Sequence, residues 1–211
     1  MEGKRIKVAI PKGRLLKDVV KLFSSIGIDI TDTEHSRRLV FHYPKYDISL
    51  FLVKPFDVVT YVKEGVADIG IAGDDVIEEI GGNIYEPLDL GFGKCRLVVA
   101  QREDFVMEKD ILMLKVATKY PRITEKHYSK KGIPLDIIKL YGSVELAATC
   151  GLAHQIVDLV ETGRTLKENR LIEVEKIMDV SAKLIVNRSS YNVKYSPIND
   201  LISKISSVLE D

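Results

Sequence analysis

The chain has 211 residues and a mass of 23.7 kDa, and 45% of its residues are hydrophobic. A globular chain of this size can bury a large core without metal or disulfide staples. Its 31 basic and 31 acidic residues cancel, which argues against a protein that coats nucleic acid. No apolar run approaches the roughly 18 residues that span a bilayer, and the first residues lack the apolar segment of a secretory signal.

The cysteines and histidines exclude further classes of protein. Cys95 and Cys150 lack the spacing of a disulfide framework or of a CxxC metal motif. The four histidines are scattered and form no paired metal-ligand motif. We therefore expect a cytoplasmic protein with two reduced thiols and no structural zinc site.

The first half of the chain alternates strands with helices. Ile6, Val8 and Ile10 recur at the two-residue spacing of a strand, and apolar residues then recur at helical spacing up to Gly27, which suits the position after a helix end. The elements predicted next are strands at Arg38–Tyr43 and Asp47–Val53, a helix from Pro55 to Gly65, a strand at Ala67–Ile71, a helix capped by Asp74 or Asp75, and a strand at Lys94–Gln101.

The second half repeats this alternation. Strands are predicted at Lys115–Thr118, Leu135–Leu140, Ile156–Val160 and Ala182–Val186, and helices at Arg122–Lys131, Val144–Cys150 with Ser143 as its N-cap, Thr165–Asn169 and Pro197–Leu209. Strands that alternate with helices indicate an α/β architecture with largely parallel sheets. If the chain forms two lobes, Gly91–Arg96 and Lys176–Ser181 are the candidate crossings between them.

The sharpest motif, residues 156–166, reads as a strand, a tight loop and the start of a helix. Gly163 lets the backbone turn without a Cβ, so that neighbouring amides and the hydroxyls of Thr162 and Thr165 can point at one anion. Asp158, on the strand before the loop, can accept hydrogen bonds from a sugar attached to that phosphate. This spacing suits a phosphoribosyl diphosphate loop, but an ordinary strand–turn–helix junction explains the motif alone equally well.

The surrounding sequence favours the phosphate loop. The run Glu145–x₅–Gly151–x₆–Asp158–x₃–Thr162-Gly163-x-Thr165-Leu166 closely resembles the signature of the ATP phosphoribosyltransferase family, which catalyses the first step of histidine biosynthesis. Segments of the first half resemble the same family in the right order, at Pro11–Leu15, Lys54–Val58, Tyr61-Val62, Gly65–Asp75 and Gly91–Leu97. The resemblance covers nearly the whole chain, and it is to the short form of the family, which we expect to lack the C-terminal regulatory domain of the long form.

The resemblance implies a pentosyltransferase that joins N1 of ATP to C1 of the ribose of phosphoribosyl diphosphate and releases pyrophosphate. Mg²⁺ is expected with the substrates, and no metal ligand is assigned in the protein. Because positive charge develops at C1, positioning and electrostatics can supply most of the catalysis. No single catalytic residue is therefore required, and Lys12 and Arg14 are the candidates for that role.

The resemblance also implies two groups of binding residues. The phosphoribosyl diphosphate group is Glu145, Asp158, Thr162, Gly163, Arg164, Thr165 and Leu166, and the ATP group is Lys12, Gly13, Arg14, Arg37, Lys54 and Asp75. Residues 12–14 resemble an anion loop, although a turn with two solvated cations would look the same. Either Arg37 or Arg38 can face the site, and helix capping alone would explain Asp75. Lys54 stands where many family members carry Arg, which keeps the charge but loses bidentate geometry.

By the same resemblance, we expect an α/β fold of two lobes similar to type II periplasmic binding proteins, with mixed, largely parallel sheets and a cleft between the lobes. Lobe I comprises residues 1–92 and 180–211, and lobe II comprises residues 93–179 with the phosphoribosyl diphosphate loop. Lys94 and Arg96 either face the cleft or form the polar face of a strand. The expected partners are a second copy of the chain and a regulatory subunit similar to histidyl-tRNA synthetase, with no nucleic acid and no membrane.

Two other functions compete with this hypothesis. A noncatalytic two-lobed sensor of a phosphorylated metabolite would bind one ligand and have no use for two anion loops. A nucleobase phosphoribosyltransferase of the Rossmann-like type usually carries two adjacent acids before its TGxT loop, whereas here Val157 and Leu159 flank Asp158. Both observations favour the ATP phosphoribosyltransferase hypothesis.

Overall fold

The computed structural model describes residues 5–106 and 112–210, and within these ranges the chain forms eleven strands and eight α-helices. The chain divides into two compact units. The first unit contains the residues up to Gly93 and those from Ser181 onward, and the second runs from Lys94 to Val180. Among the described residues, no helix is both long enough and apolar enough to cross a membrane.

The first unit is built on a mixed sheet with the strand order β2-β3-β1-β4-β11-β5. Its strands are β1 (Ile6–Pro11), β2 (Val40–Tyr43), β3 (Ile48–Val53), β4 (Ile69–Gly73), β5 (Ile84–Asp89) and β11 (Ala182–Asn187). β1 lies parallel to both of its neighbours, with Ile6 opposite Ile48 on β3 and Val8 opposite Ile69 on β4. The carboxyl ends of β1, β3 and β4 therefore meet at one edge of the sheet.

Helices cover both faces of this first sheet. They are α1 (Leu16–Ser25), α2 (Pro55–Lys63), α3 (Asp74–Ile80), α7 (Arg188–Val193) and α8 (Tyr195–Leu209). Phe23 of α1 and Ile198 of α8 belong to one apolar cluster on one face of the sheet. Val58 and Val62 of α2 belong to a second cluster, which contains the strand residues that point to the opposite face. Gly27 follows α1 with φ of +77°, which confirms its predicted position after the helix end.

The second unit is built on a mixed sheet with the strand order β10-β6-β9-β7-β8. Its elements are β6 (Cys95–Arg102), β7 (Leu114–Thr118), α4 (Pro121–Ser129), β8 (Leu135–Lys139), α5 (Glu145–Thr149), β9 (Gln155–Val160), α6 (Arg164–Glu168) and β10 (Leu171–Val180). Ala147 of α5 and Leu166 of α6 pack with Ile156 of β9 in one apolar cluster. On the opposite face, Tyr128 of α4 donates a hydrogen bond of 2.6 Å to the side chain of Gln155.

The predicted α/β class with mixed sheets is confirmed, but antiparallel pairing is more frequent than the alternation of elements predicted. Five of the nine strand pairings among the described residues are antiparallel. Two strands that the sequence did not predict, β5 and β10, both pair antiparallel. β10 escaped prediction because two register shifts against β6 break its two-residue periodicity.

Two predicted helix caps are wrong. α5 begins at Glu145 with Val144 as its N-cap, and Ser143 instead adopts a left-handed conformation with φ of +49°. α3 begins at Asp74 after Gly73, and no side chain caps its first turn. Asp74 and Asp75 therefore lie inside the helix, where a carboxylate still interacts favourably with the helix dipole. The helix α7 was also not predicted, because its sequence Arg-Ser-Ser-Tyr-Asn-Val carries no apolar periodicity.

Candidate active site

The loop after β9 has the turn that its sequence predicted. Gly163 precedes α6 with φ of +78°, a left-handed conformation that costs a residue with a Cβ about 1–2 kcal/mol. The Thr162 hydroxyl accepts a hydrogen bond of 3.4 Å from the amide of Arg164. Leu166 is buried in the apolar cluster under the loop, and burial of a leucine side chain contributes about 1.5–3 kcal/mol. The loop is thus anchored at its helical end.

The same loop presents hydrogen-bond donors to solvent. Within the part of the chain that the structure describes, the amides of Thr162 and Gly163 donate to no acceptor. The side chains of Thr162 and Thr165 are exposed, whereas Arg164 is paired with Glu168 at 2.7 Å. Exposed amides and hydroxyls on consecutive residues suit a phosphate group.

Two predicted carboxylates lie on the sheet face that carries the loop. Asp158 stands between Ile156 and Val160, whose side chains both belong to the apolar cluster of that face, so strand alternation directs all three the same way. The Asp158 carboxylate is half-buried and accepts a hydrogen bond of 2.8 Å from the amide of Leu159. Glu145 begins α5, which packs on the same cluster. Both carboxylates therefore lie on the same side of the sheet as the loop.

In the first unit, residues 12–14 form the turn between β1 and α1. Gly13 has φ of +88°, and the amide of Lys12 donates a hydrogen bond of 2.8 Å to the carbonyl of Val53 at the end of β3. Lys54 follows at once and is the N-cap residue of α2. Because β1 and β3 are parallel neighbours, Lys12 and Lys54 lie at the same sheet edge.

The remaining predicted residues of the ATP group reach this edge from the flanking strands. Arg37 precedes β2, which runs antiparallel to β3, and the carbonyl of Leu39 accepts a hydrogen bond of 2.8 Å from the amide of Leu52 near the end of β3. Asp75 follows β4 and is buried, with 5% of its surface exposed, and it interacts with other groups of the chain. The predicted site residues thus form two groups, one in each unit.

Three cations of the first group are available to a ligand. Among the described residues, Lys12, Arg37 and Lys54 form no ion pair, and each is exposed or half-buried. Arg38, beside Arg37, is also exposed. Several unpaired cations at one sheet edge are suited to a polyphosphate.

A polar network beside the start of α3 was not predicted from the sequence. Asp74 Oδ2 accepts a hydrogen bond of 3.0 Å from the amide of Ser181, whose hydroxyl lies 2.9 Å from Asp89 Oδ2. Lys183 Nζ lies 2.7 Å from the same oxygen. Partial burial opposes the ionisation of Asp89, but hydrogen bonds from Lys183, Gly91 and Ser181 outweigh it and hold the pKa of Asp89 below its usual range. This network fixes the start of β11 against the first turn of α3.

A buried threonine supports the loop of the second unit and was also missed. The Thr118 hydroxyl, at the end of β7, donates a hydrogen bond of 2.8 Å to the carbonyl of Val157 and accepts one of 2.9 Å from the amide of Tyr120. It therefore fixes the segment of β9 immediately before Asp158. A buried threonine at a strand end has no distinctive sequence pattern, so only the pairing of β7 with β9 reveals this role.

The fold resembles that of distant solved domains. The periplasmic VFT2 domain of Bordetella pertussis BvgS matches with a TM-score of 0.53 at 13% identity, over 99% of this chain and 93% of that one. At this identity the likeness concerns the fold alone, and it confirms the predicted similarity to two-lobed periplasmic binding proteins.

Closer relatives share both sequence and structure. The ATP phosphoribosyltransferases of Citrifermentans bemidjiense and Syntrophotalea carbinolica are 47% and 45% identical, over 93% and 98% of this chain and 95% and 96% of their own lengths. A chain of the ATP phosphoribosyl transferase (HisG:HisZ) complex from Thermotoga maritima matches with a TM-score of 0.87 and 36% identity, over 97% of this chain and 98% of that one. The sequence profile of the family HisG, ATP phosphoribosyltransferase, matches residues 54–207. The chain therefore belongs to the ATP phosphoribosyltransferase family, the pentosyltransferases that begin histidine biosynthesis.

Proposed function

We propose that the two groups of site residues divide the substrates of this enzyme between them. Residues 162–166, with Asp158 and Glu145, bind phosphoribosyl diphosphate, and residues 12–14, with Arg37, Lys54 and Asp75, bind ATP. The observation that carries this proposal is the left-handed turn at Gly163, next to two amides that donate to no acceptor among the described residues. Such donors suit the single phosphate of a sugar phosphate, and the several cations of the first group suit the charge of a triphosphate.

Each residue of the donor site then has a distinct task. The amides and hydroxyls of residues 162–165 hold the 5-phosphate, and the buried side chain of Leu166 fixes the loop to the core. Asp158 accepts hydrogen bonds from the ribose hydroxyls, with Glu145 beside it. In this arrangement the ribose is held at its phosphate and at its hydroxyls, which leaves C1 accessible to N1 of ATP.

Catalysis then requires orientation and charge rather than a protein nucleophile. Bond breaking at C1 leaves positive charge on the ribose and negative charge on the departing pyrophosphate. The carboxylate of Asp158 stabilises the first, and cations stabilise the second. Lys12 and Arg14 are our candidates for the cations. Holding both reactants in an attack geometry supplies the rest of the rate enhancement.

Mg²⁺ is proposed to enter with the substrates. Among the described residues, no group of three or more His, Cys, Asp or Glu side chains is arranged to hold a metal ion. Mg²⁺ commonly takes few protein carboxylates together with substrate phosphate oxygens, so the substrates would supply most of its ligands. When bound, the ion would neutralise charge on the diphosphate.

The assembly and the division into lobes are further parts of the proposal. The matched Thermotoga maritima chain was solved in a HisG:HisZ complex. We propose that this chain likewise forms a homodimer that joins a regulatory subunit similar to histidyl-tRNA synthetase. The two compact units support assigning residues 1–92 with 180–211 and residues 93–179 to separate lobes. A cytoplasmic location suits an enzyme that uses ATP and contains two free cysteines. Size measurement of the chain with and without the subunit tests the assembly.

Hydrogen exchange with each substrate alone tests the division of substrates. Phosphoribosyl diphosphate with Mg²⁺ should slow amide exchange in peptides that cover residues 158–166. Saturating ATP should slow exchange in peptides that cover residues 12–16 and 54–58. Peptides from α8 serve as an internal control, since α8 carries no proposed site residue. Protection of residues 12–16 by phosphoribosyl diphosphate alone, without protection of 158–166, would contradict the proposal.

A further inference from the structure

Arg96 contacts two other segments of the second unit through its guanidinium group. Its Nε lies 3.0 Å from Glu173 Oε1 and its Nη2 lies 2.6 Å from Glu173 Oε2, so the pair is bidentate. Its Nη1 donates a hydrogen bond of 3.3 Å to the main-chain carbonyl of Glu161. Only a guanidinium group offers donors in a fixed plane for all three contacts.

The third contact falls at the start of the phosphate loop. Glu161 directly follows β9 and directly precedes Thr162. Arg96 on β6 pairs with Val160 on β9 and with Asp179 on β10, so it stands where three strands meet. The loop is therefore held at two points, by the apolar anchor of Leu166 at its helical end and by the guanidinium group at its strand end.

Glu173 determines where this guanidinium group can point. Its carboxylate occupies the Nε edge of Arg96 and leaves the Nη1 donor directed at the loop. Both side chains are about one-third exposed, at 33% and 30%. The hydrogen bond with Glu173, and the charge of that carboxylate, also raise the pKa of Arg96, despite partial desolvation. The three contacts of the guanidinium group therefore orient it between Glu173 and the loop.

We propose that Arg96 and Glu173 are positioning residues for the donor loop. They act on phosphoribosyl diphosphate through the carbonyl of Glu161 and do not touch it. This inference rests on the proposed role of residues 162–166 and adds to it the residues that set the loop's geometry. It predicts that a change in either partner weakens donor binding while ATP binding stays the same.

A matched pair on the same strand provides the control. Arg102, at the other end of β6, forms an ion pair with Asp104, in which Arg102 Nε lies 2.8 Å from Asp104 Oδ1. These side chains are 47% and 67% exposed, and within the described residues neither forms a hydrogen bond with residues 161–166. Arg102→Lys thus makes the same chemical change without reaching residues 161–166.

The experiment compares Arg96→Lys, Glu173→Gln and Arg102→Lys by steady-state kinetics, with each substrate varied in turn, and by thermal melting. We expect the KM for phosphoribosyl diphosphate to rise about tenfold in the first two variants, since a charge-assisted hydrogen bond is lost. The KM for ATP should change less than about twofold. Arg102→Lys should match the wild type in both constants.

Four outcomes would overturn the inference. Equal changes in both KM values, or a lower melting temperature with unchanged kinetics, would make the pair merely structural. A raised donor KM in Arg96→Lys with an unchanged or lower one in Glu173→Gln would mean that Arg96 touches the donor directly. If Gly163→Val destroys donor use while Arg96→Lys does not, the proposed loop stands and this inference fails. If Gly163→Val has no effect on donor use, the proposed function fails first.

Discussion

The proposed substrate sites of the two units differ in the chemical groups that they offer to an anion. The edge of the first unit carries exposed or half-buried cations from separate segments, with Lys12, Arg37 and Lys54 forming no ion pair among the described residues. The loop of the second unit instead offers main-chain amides and hydroxyls from consecutive residues, and its neighbouring arginines, Arg96 and Arg164, are already paired. Anion binding at the edge of the first unit should therefore depend mainly on side-chain charge, whereas binding at the loop of the second unit should depend mainly on backbone geometry.

This difference determines how each region should respond to change. A site built from mobile cations loses affinity gradually as charges are removed or screened by salt. A site built from backbone geometry tolerates changes of surface charge but fails when one dihedral angle is altered. The contrast can therefore be tested by substitutions that change only charge or only backbone conformation.

The largest effect is expected from Gly163→Val. A Cβ there would meet only Val160 Cγ1 at 3.9 Å, so space is not limiting, but a β-branched residue strongly disfavours φ of +78°. The loop should leave its left-handed turn, and kcat/KM for phosphoribosyl diphosphate should fall at least about 100-fold. Steady-state kinetics with the donor varied measures the loss.

Gly132→Val is the control for this substitution. Gly132 has φ of +68° with no atom within 4 Å of an added Cβ, and it lies after α4 in the same unit. The substitution Gly132→Val therefore imposes a similar backbone strain at a position away from the loop. If both valine variants lose the same activity, the loss reflects stability rather than a geometric donor site.

A smaller effect is expected from Arg14→Ala at the edge of the first unit. Removal of one of several cations should raise the KM for ATP about tenfold, in line with a charge-assisted contact. The remaining cations should still bind ATP, so raising the salt concentration should increase the KM for ATP more than that for the donor. Lys45→Ala is the control, because Lys45 lies in the turn before β3, at the opposite sheet edge. A salt response equal for both substrates would remove the distinction between the two sites.

The smallest effect is expected at His127, on the sheet face opposite the loop, and it concerns stability rather than substrate binding. His127 on α4 lies 3.3 Å from Glu175, and burial and the charge of Lys131 outweigh the carboxylate and lower the pKa of His127 from 6.5. The unfolded chain then binds more protons as the pH falls below about 6.5, so folded stability is lost as the pH approaches the lower folded pKa. Between about pH 7.5 and 5.5, the melting temperature of the wild type should fall about 1–2 °C further than that of His127→Gln.

This pH response should not extend to substrate binding. His127 lies on the α4 face, and the loop lies on the α5 and α6 face. The donor KM of His127→Gln should therefore follow that of the wild type across the same pH range. If the melting temperatures of the two proteins fall equally over this pH range, protonation of His127 does not affect the stability of the folded protein.

Much of the site could be predicted from sequence because its chemistry is local. Residues 162–166 are consecutive, and the glycine between two threonines predicted a turn that the structure contains. The grouping of residues 12–14 with Lys54 was instead implied by the family resemblance, and the parallel pairing of β1 with β3 brings the two segments to one edge of the sheet. The substrates assigned to each group remain predictions.

Contacts between distant segments could not be predicted in this way. Arg96 and Glu173 are 77 positions apart, and the contact of Arg96 with a main-chain carbonyl has no side-chain signature. Ser143 looked like a helix cap because serine favours that position, but the chain uses a left-handed serine there instead. In both cases, packing of the second sheet decides what the local sequence leaves open.

The order of strands in the first sheet has a consequence for synthesis on the ribosome. β11 lies between β4 and β5, but it is encoded after the whole of the second unit. Residues 94–180 are contiguous, whereas β5, which pairs only with β11 among the described residues, has no neighbour in its sheet until residues 182–187 have left the exit tunnel. The first sheet therefore stays incomplete on the ribosome until the whole of the second unit has been synthesised.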